Sequence, residues 1–245
     1  MISVITPCYN HAQFIGECIK SVQAQTYEKY EHIIVNDGST DNSEEVIKSF
    51  DDSRIKLINH DKNLKLYAAR NTAVRASKGY LVVPIDADDM LLPESLEDRA
   101  EFMYKDTSLD GSFGYALKIH DDATYEDAIR GMGSLKRHPS RLHAQGMCFR
   151  RDVFERFGLY YDCYSKEDKE MVYRLGVHDK SPFPKIVNFR RIHKNLAFYR
   201  RHPLSMHKLR IADKKFDKEI RKKFKNRVKQ LKAEGITKEN TEWLA

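Results

Sequence analysis

The sequence predicts an α/β protein with a mainly parallel sheet flanked by helices, followed by a basic amphipathic helix at the C-terminal end. Three observations carry this. Short β-branched runs alternate with segments of helical apolar spacing through the first hundred or so residues, the pattern of βαβ units. Polar clusters at Pro7–Asn10, Asn36–Ser39 and Asp86–Asp89 follow directly on three of those runs. In parallel sheets, ligands collect beyond the carboxyl ends of the strands, so the three clusters point to one site. After His207, the chain turns into a Lys/Arg-rich run with regularly spaced apolar residues.

"ISVITP" is a short β-branched run ended by proline, hence a strand. In "FIGECIKSVQAQ" the apolar or small residues Phe14, Ile15, Cys18, Ile19 and Val22 have helical spacing. "YEHIIVNDGSTDNS" is a second strand ending in a turn, with Ser43 the expected cap of the helix "EEVIKSF". "RIKLINH" reads as a strand, "LYAARNTAVRAS" as a helix closed by Gly79, and "YLVVPI" as a fourth strand. From Asp106 to Arg141 the pattern is less regular, short strands and loops. "QGMCFRRDVFERFGLY" follows as strand and short helix, "SKEDKEMVYRLGVH" as a helix, and "RRIHKNLAFYRRHPLSMH" as a strand and polar loop.

At 245 residues, 41% hydrophobic and 32% charged, the chain has the composition of a soluble globular protein with ample core. No run approaches the roughly 18–20 apolar residues of a membrane span. The N-terminus enters a strand pattern at once, without a basic leader, so a cytoplasmic protein is expected. Cys8, Cys18, Cys148 and Cys163 are scattered, which fits reduced thiols better than disulfides or a zinc site. The net charge of +7 is local: residues 207–232 carry +9 and residues 233–245 carry −2, leaving residues 1–206 neutral. That distribution argues against a nucleic-acid binder.

The residue types at the three clusters admit both chemical and plain readings. Asp37 can accept hydrogen bonds from a base or from sugar hydroxyls, with Gly38 turning the chain, or the stretch is a simple turn. Pro7 ends its strand, and Asn10 can cap the next helix. Arg70 can reach a phosphate or carboxylate, or lie on a solvated helix face. "PIDADDM" is more informative, because three close carboxylates repel one another and call for a positive partner. Hard divalent cations take oxygen ligands, often one or two carboxylates plus substrate phosphates. Asp86 and Asp88 share a side if the backbone is extended, while Asp89 points elsewhere or caps the helix near "PESLEDRA". The alternative is an acidic loop of helix-capping aspartates.

"VITPCYN", "IIVNDGSTDNS", "AARNTAV…GYLVVPIDADD", "FRRDVFERFG", "KEDKEMVYRL" and "YRRHPLSMH" occur in that order. Together they closely resemble the family-two inverting glycosyltransferases with the GT-A fold, a Rossmann-like nucleotide-sugar-binding architecture. The resemblance covers Ile2 to about His207. It implies transfer of a sugar from a nucleotide-sugar donor, usually a UDP-sugar, to a glycan or lipid-linked acceptor, as in polysaccharide biosynthesis. By the same resemblance, Pro7, Tyr9, Asn10 and Asp37 hold the base and ribose, and Arg70 lies near the diphosphate. Asp86-Ala87-Asp88 becomes the Asp-X-Asp motif. Asp88 then binds Mn²⁺ or Mg²⁺, with Asp86 a second metal candidate that lies nearer the ribose or sugar, and Asp89 shares either role. Asp168 is implied as general base, with Glu167 contacting acceptor or sugar; the plain reading of the pair is a solvated first helical turn. His202 is implied to complete the metal site, and Arg200 or Arg201 to contact phosphate. The domain division implied is a nucleotide-binding half at 1–105, an acceptor half at 106–206 and a basic extension at 207–245.

Two departures narrow this. Asn36-Asp37 stands where the family pattern has two aspartates, which spares the second carboxylate. No Gln-X-X-Arg-Trp motif of the processive synthases occurs, which argues for a single sugar per event. In the tail, Ala212, Phe216, Ile220, Phe224, Val228 and Leu231 form an apolar stripe on a basic helix. That stripe packs on the domain or on a second subunit, as in a homodimer, or it lies on an anionic membrane through residues 208–232. Two other classes compete: a nucleotidyltransferase making nucleotide-sugars, which normally has a Gly-rich phosphate loop absent from "TPCYNHAQ", and a non-catalytic basic binding protein.

Overall fold

The computed structural model describes residues 1–137, 144–162, 167–177 and 185–203, together with Lys222, Lys225, Asn226, Lys229, Gln230 and Ala233. The first half runs β1 (Ile2–Cys8), α1 (Ala12–Gln23), β2 (Tyr30–Asn36), α2 (Ser43–Lys48), β3 (Ile55–Asn59), α3 (Leu66–Ala76) and β4 (Leu81–Pro84). Then come β5 (Met90–Leu91), α4 (Ser95–Lys105), β6 (Gly111–Ile119), α5 (Tyr125–Gly131), β7 (Met147–Arg150), α6 (Asp152–Phe157), α7 (Glu167–Arg174) and β8 (Phe189–Arg200).

All eight strands form one sheet in the order β3-β2-β1-β4-β7-β6-β8-β5. The pairings β3-β2, β2-β1, β1-β4 and β6-β8 are parallel, while β4-β7, β7-β6 and β8-β5 are antiparallel. Six strands therefore share one direction, and β7 and β5 run against it. The sheet is mixed, with its parallel part where the βαβ pattern placed it.

β1 is buried along its whole length because helices cover both faces of the sheet. Its alternation sends Ile2, Val4 and Cys8 into one core with Ile15, Cys18 and Ile19 of α1 and Leu96 and Ala100 of α4. Ile5 points the other way, into a core with Ala69 and Ala73 of α3, Val153 and Phe154 of α6, and Met171 and Val172 of α7. Each fully buried isoleucine or valine here contributes about 1.5–3 kcal/mol of apolar burial.

Four local expectations change. Ser43 does not cap α2; Asn42 holds that position, and the Ser43 hydroxyl instead accepts from the His11 backbone N–H at 3.0 Å. Asn10 does not cap α1, which starts behind His11; Asn10 adopts φ 53° and its Oδ1 accepts from the Thr40 N–H at 2.8 Å. Gly79 is not a left-handed cap, since Ser77 ends α3. A Cβ at Gly79 would lie 2.5 Å from the Ser3 backbone nitrogen, so the residue permits close approach of β1. Residues 106–141 hold a nine-residue strand, β6, and a helix, α5, opened by a reciprocal Thr124–Asp127 capping box.

Among the described residues, no helix is long and apolar enough to cross a membrane. The apolar stripe of the tail lies outside the described residues. Lys222, Lys225, Asn226, Lys229, Gln230 and Ala233 are helical and exposed.

Candidate active site at the carboxyl edge of the sheet

β4 ends at Pro84, and the chain then turns, with the Asp89 N–H donating to the Asp86 carbonyl at 3.0 Å. The expected extended backbone is absent, and the turn does the gathering. One carboxylate oxygen each from Asp86, Asp88 and Asp89 lie within 4.8 Å of one another. A second group at the same place comprises His11, Asp88 and His202, with one donor atom each inside the same limit.

Each carboxylate has a different partner. Asp86 Oδ1 accepts from Arg70 Nη2 at 2.5 Å, and its Oδ2 accepts from Gln145 Nε2 at 2.8 Å. Arg70, on α3, is fully buried and also lies over the Tyr160 ring at 5.5 Å. Asp88 Oδ2 lies 2.9 Å from His202 Nε2. Asp89 is not a helix cap, since Glu94 precedes α4; its Oδ1 accepts from the Arg200 N–H at 2.8 Å. The positive charge called for by three clustered acids comes from Arg70 and from the Arg200 guanidinium, while His202 is the side-chain partner of Asp88.

These surroundings separate the acids electrostatically. Burial, reinforced by the charges of Asp88 and Asp86, raises the Asp89 carboxyl well above the ordinary range. Burial also acts to raise Asp88, but its hydrogen bond with His202 and the charges of His11 and His202 outweigh that and lower it. Of these two, Asp88 is therefore held toward the ionised form and Asp89 toward the neutral one. Cys8, buried behind the site, is pushed up to about 12 by desolvation and is no nucleophile.

The neighbouring strand ends complete the edge. Pro7 is buried in β1 opposite Val35, Tyr9 is 40% exposed, and Asn10 lies exposed between them and α1. Asp37 is buried at the end of β2, where its Oδ1 meets His60 Nδ1 at 2.7 Å and the Leu64 N–H at 2.9 Å. Glu167 and Asp168 open α7, which packs on the face of the sheet that α3 covers; their side chains lie outside the described residues. Arg200 is not free to meet a phosphate. Its guanidinium donates to the carbonyls of Asp88, His120, Asp121 and Ala123, tying the acidic turn to the segment before α5.

His11, Gln145 and His60 carry no mark of their own in the sequence that sets them apart as site residues. A loop histidine or glutamine has no periodicity to mark it. The one available signal was the position of His11 directly behind the first polar cluster.

The family model for glycosyl transferase family 2 matches residues 3–158. The chain belongs to this family. Among family-2 relatives, the putative teichuronic acid biosynthesis glycosyltransferase TuaG of Bacillus subtilis is 32% identical over 137 residues, 55% of this chain and 54% of the relative. The Escherichia coli enzyme WfgD, named as a UDP-Glc:α-D-GlcNAc-diphosphoundecaprenol β-1,3-glucosyltransferase, is 35% identical over 105 residues, 43% of this chain and 42% of the relative. The chain spans about half the length of the curated relatives it matches. Among solved structures, the mannosyltransferase PcManGT of Pyrobaculum calidifontis, in complex with GDP-Man and Mn²⁺, superposes with a TM-score of 0.64 at 21% identity. That match covers 86% of this chain and 59% of the other, and it establishes the GT-A fold for the family-2 chain described here.

Proposed function

We propose that this chain catalyses transfer of a single sugar, with inversion, from a nucleotide-sugar to a glycan or lipid-linked saccharide acceptor. The donor class proposed is a UDP-sugar, as in the name of WfgD. The observation that carries the reading is the convergence of Asp86, Asp88 and His202 at the carboxyl edge of the sheet, with β1 between them and Asp37 at the end of β2.

The donor set fits a divalent cation. Adjacent ligands on an octahedral ion with bonds of about 2.1 Å lie about 3 Å apart, and opposite ones about 4.2 Å. The 2.9 Å separation of Asp88 Oδ2 and His202 Nε2 matches the first, and the donor atoms of each group lie within 4.8 Å of one another. Asp88 and His202 would hold Mn²⁺ or Mg²⁺, with Asp86 beside them toward the ribose or sugar. When bound, the cation neutralises charge on the departing nucleoside diphosphate.

The chain's own residues do the remainder. Pro7, Tyr9, Asn10 and Asp37 line the base and ribose end, and Arg70, which holds Asp86, lies near the diphosphate. Asp168 takes the proton of the acceptor hydroxyl as that oxygen bonds to the anomeric carbon, while Glu167 contacts the acceptor or the transferred sugar. The bond from the anomeric carbon to the phosphate oxygen breaks in the same displacement, so configuration inverts. The exposed helical lysines Lys222, Lys225 and Lys229 support a basic face toward anionic lipid, where a lipid-linked acceptor lies.

The test is a screen of UDP-, GDP- and dTDP-sugars for divalent-cation-dependent nucleotide release and thermal stabilisation. A UDP-sugar is expected to give both. Silence toward every donor, with and without Mn²⁺, would sink the reading.

A further inference from the structure

We infer that His11 is a third protein ligand to the cation held at Asp88, and that the resulting Asp/His/His set selects first-row transition cations over Mg²⁺. This rests on the functional reading above and extends it to a residue of the β1–α1 loop.

The other carboxylates of the turn are poorly placed to dominate cation binding. Asp86 has a hydrogen-bonded guanidinium on one oxygen and an amide donor on the other. A cation added there meets the positive charge of Arg70. Asp89 is 1% exposed and already receives the Arg200 N–H. Asp88 is left as the carboxylate facing two imidazoles.

His11 is also built into place. Its backbone N–H donates to Ser43 Oγ at 3.0 Å, and the next N–H, of Ala12, donates to Asp41 Oδ2 at 3.0 Å. Its carbonyl accepts the Phe14 and Ile15 N–H groups, each at 2.9 Å, so the residue is locked at the start of α1. Its ring lies 6.0 Å from that of Phe14 and 6.3 Å from that of His202, edge-on to the latter. Nδ1 of His11 and Nδ1 of His202 are both buried with no hydrogen-bond partner among the described residues. A buried imidazole nitrogen without a partner is costly, and His202 itself is only 3% exposed. His202 already faces Asp88 through Nε2, and the unpartnered Nδ1 of His11, on a residue whose donor atom lies within 4.8 Å of those of Asp88 and His202, is a polar atom that a cation there would satisfy.

The choice of cation follows from ligand chemistry. Mg²⁺ prefers oxygen and sheds water reluctantly, whereas imidazole suits the transition metals, with affinity rising from Mn²⁺ to Co²⁺. Three protein ligands on an octahedral ion leave three positions for phosphate oxygens and water.

Wild-type protein, His11→Gln, His11→Glu and Asp88→Asn are each titrated with Mg²⁺, Mn²⁺ and Co²⁺, alone and with UDP or GDP. Binding is read by calorimetry and by the visible absorption of Co²⁺. His11→Gln is expected to weaken Mn²⁺ and Co²⁺ binding roughly 10-fold or more and to shift the Co²⁺ bands, with Mg²⁺ binding little changed. His11→Glu replaces nitrogen by oxygen and should move the preference toward Mg²⁺, with thermal unfolding of the metal-free variants matching wild type. If His11→Gln keeps the wild-type Co²⁺ spectrum and affinities while Asp88→Asn loses them, the assignment of His11 is overturned and the functional reading stands. No cation binding by wild type with any nucleotide overturns both.

Discussion

The strands β1–β4 and the strands β5–β8 contribute opposite things to the same edge of the sheet. The first set delivers the acids: Asp37 after β2, and Asp86, Asp88 and Asp89 after β4. Asp37 is met within the first set, by His60 and the Leu64 N–H, but most of the groups that satisfy the three acids of the turn after β4 come from the second set. Gln145 precedes β7, Arg200 ends β8, and His202 follows it. Arg70, on α3, is the exception, an acid partner supplied by the first half. The acids sit together in sequence, while Gln145 and His202 stand 59 and 114 residues from the carboxylates they meet. The difference teaches that one half defines where a ligand can go and the other sets the charge it finds there.

The largest test of this division is Asp168→Asn, on a helix of the second half. Removing the general base proposed above should lower transfer by about 10²–10⁴-fold while donor binding persists, measured by turnover and by donor titration. Transfer at the wild-type rate would take Asp168 out of the mechanism and leave chemistry to the first half. Asp88→Asn should lower turnover by about 10²–10³-fold, because charge stabilisation in the transition state is lost. Full activity without added metal in that variant would break the assignment of Asp88.

Arg200→Met probes the joint between the two halves. It removes a buried cation and leaves four carbonyls without their donor, so unfolding should cost about 3–5 kcal/mol less in denaturant titrations. A loss below about 1 kcal/mol would show that the acidic turn stands without this clamp.

The smallest effect lies wholly within the first half. Burial pushes the His32 imidazole down to about 3 from 6.5, so the folded chain keeps it neutral. Below 6.5 the unfolded chain takes up this proton and the folded chain does not, so stability is lost as pH falls from 6.5 toward 3. His32→Gln should flatten that part of the melting-temperature curve. Identical curves for the two proteins would remove His32 as its source.

The same division explains what the sequence could disclose. β1–β4 were legible because β-branched runs, turn residues and helical spacing act within a few positions of one another. The caps failed where tertiary partners outcompeted local ones: Asn10 serves Thr40, Ser43 serves His11, and Gly79 makes room for Ser3. β6 was hidden because Gly111 and Gly114 interrupt its apolar pattern, while Phe189 and Leu196 of β8 pack where their side chains would be. Asp86 and Asp88 were readable as a cluster and His202 through the late motif. His11 and Gln145 gain meaning only when the sheet closes around them.

The hydrogen bonds that cross between the loops after β1 and β2 have a further consequence. Asn10, His11 and Ala12 donate through their backbone N–H groups to Ser39, Ser43 and Asp41, and Thr40 donates back to Asn10. Ordering a residue costs about 1–2 kcal/mol of backbone entropy, and here that cost is met when the protein folds. The nucleotide proposed to bind at this edge would find both loops already arranged, so more of its contact energy would be retained as affinity. Loosening any one of these stitches should therefore show first as an added entropic penalty of association, with the contacts themselves intact.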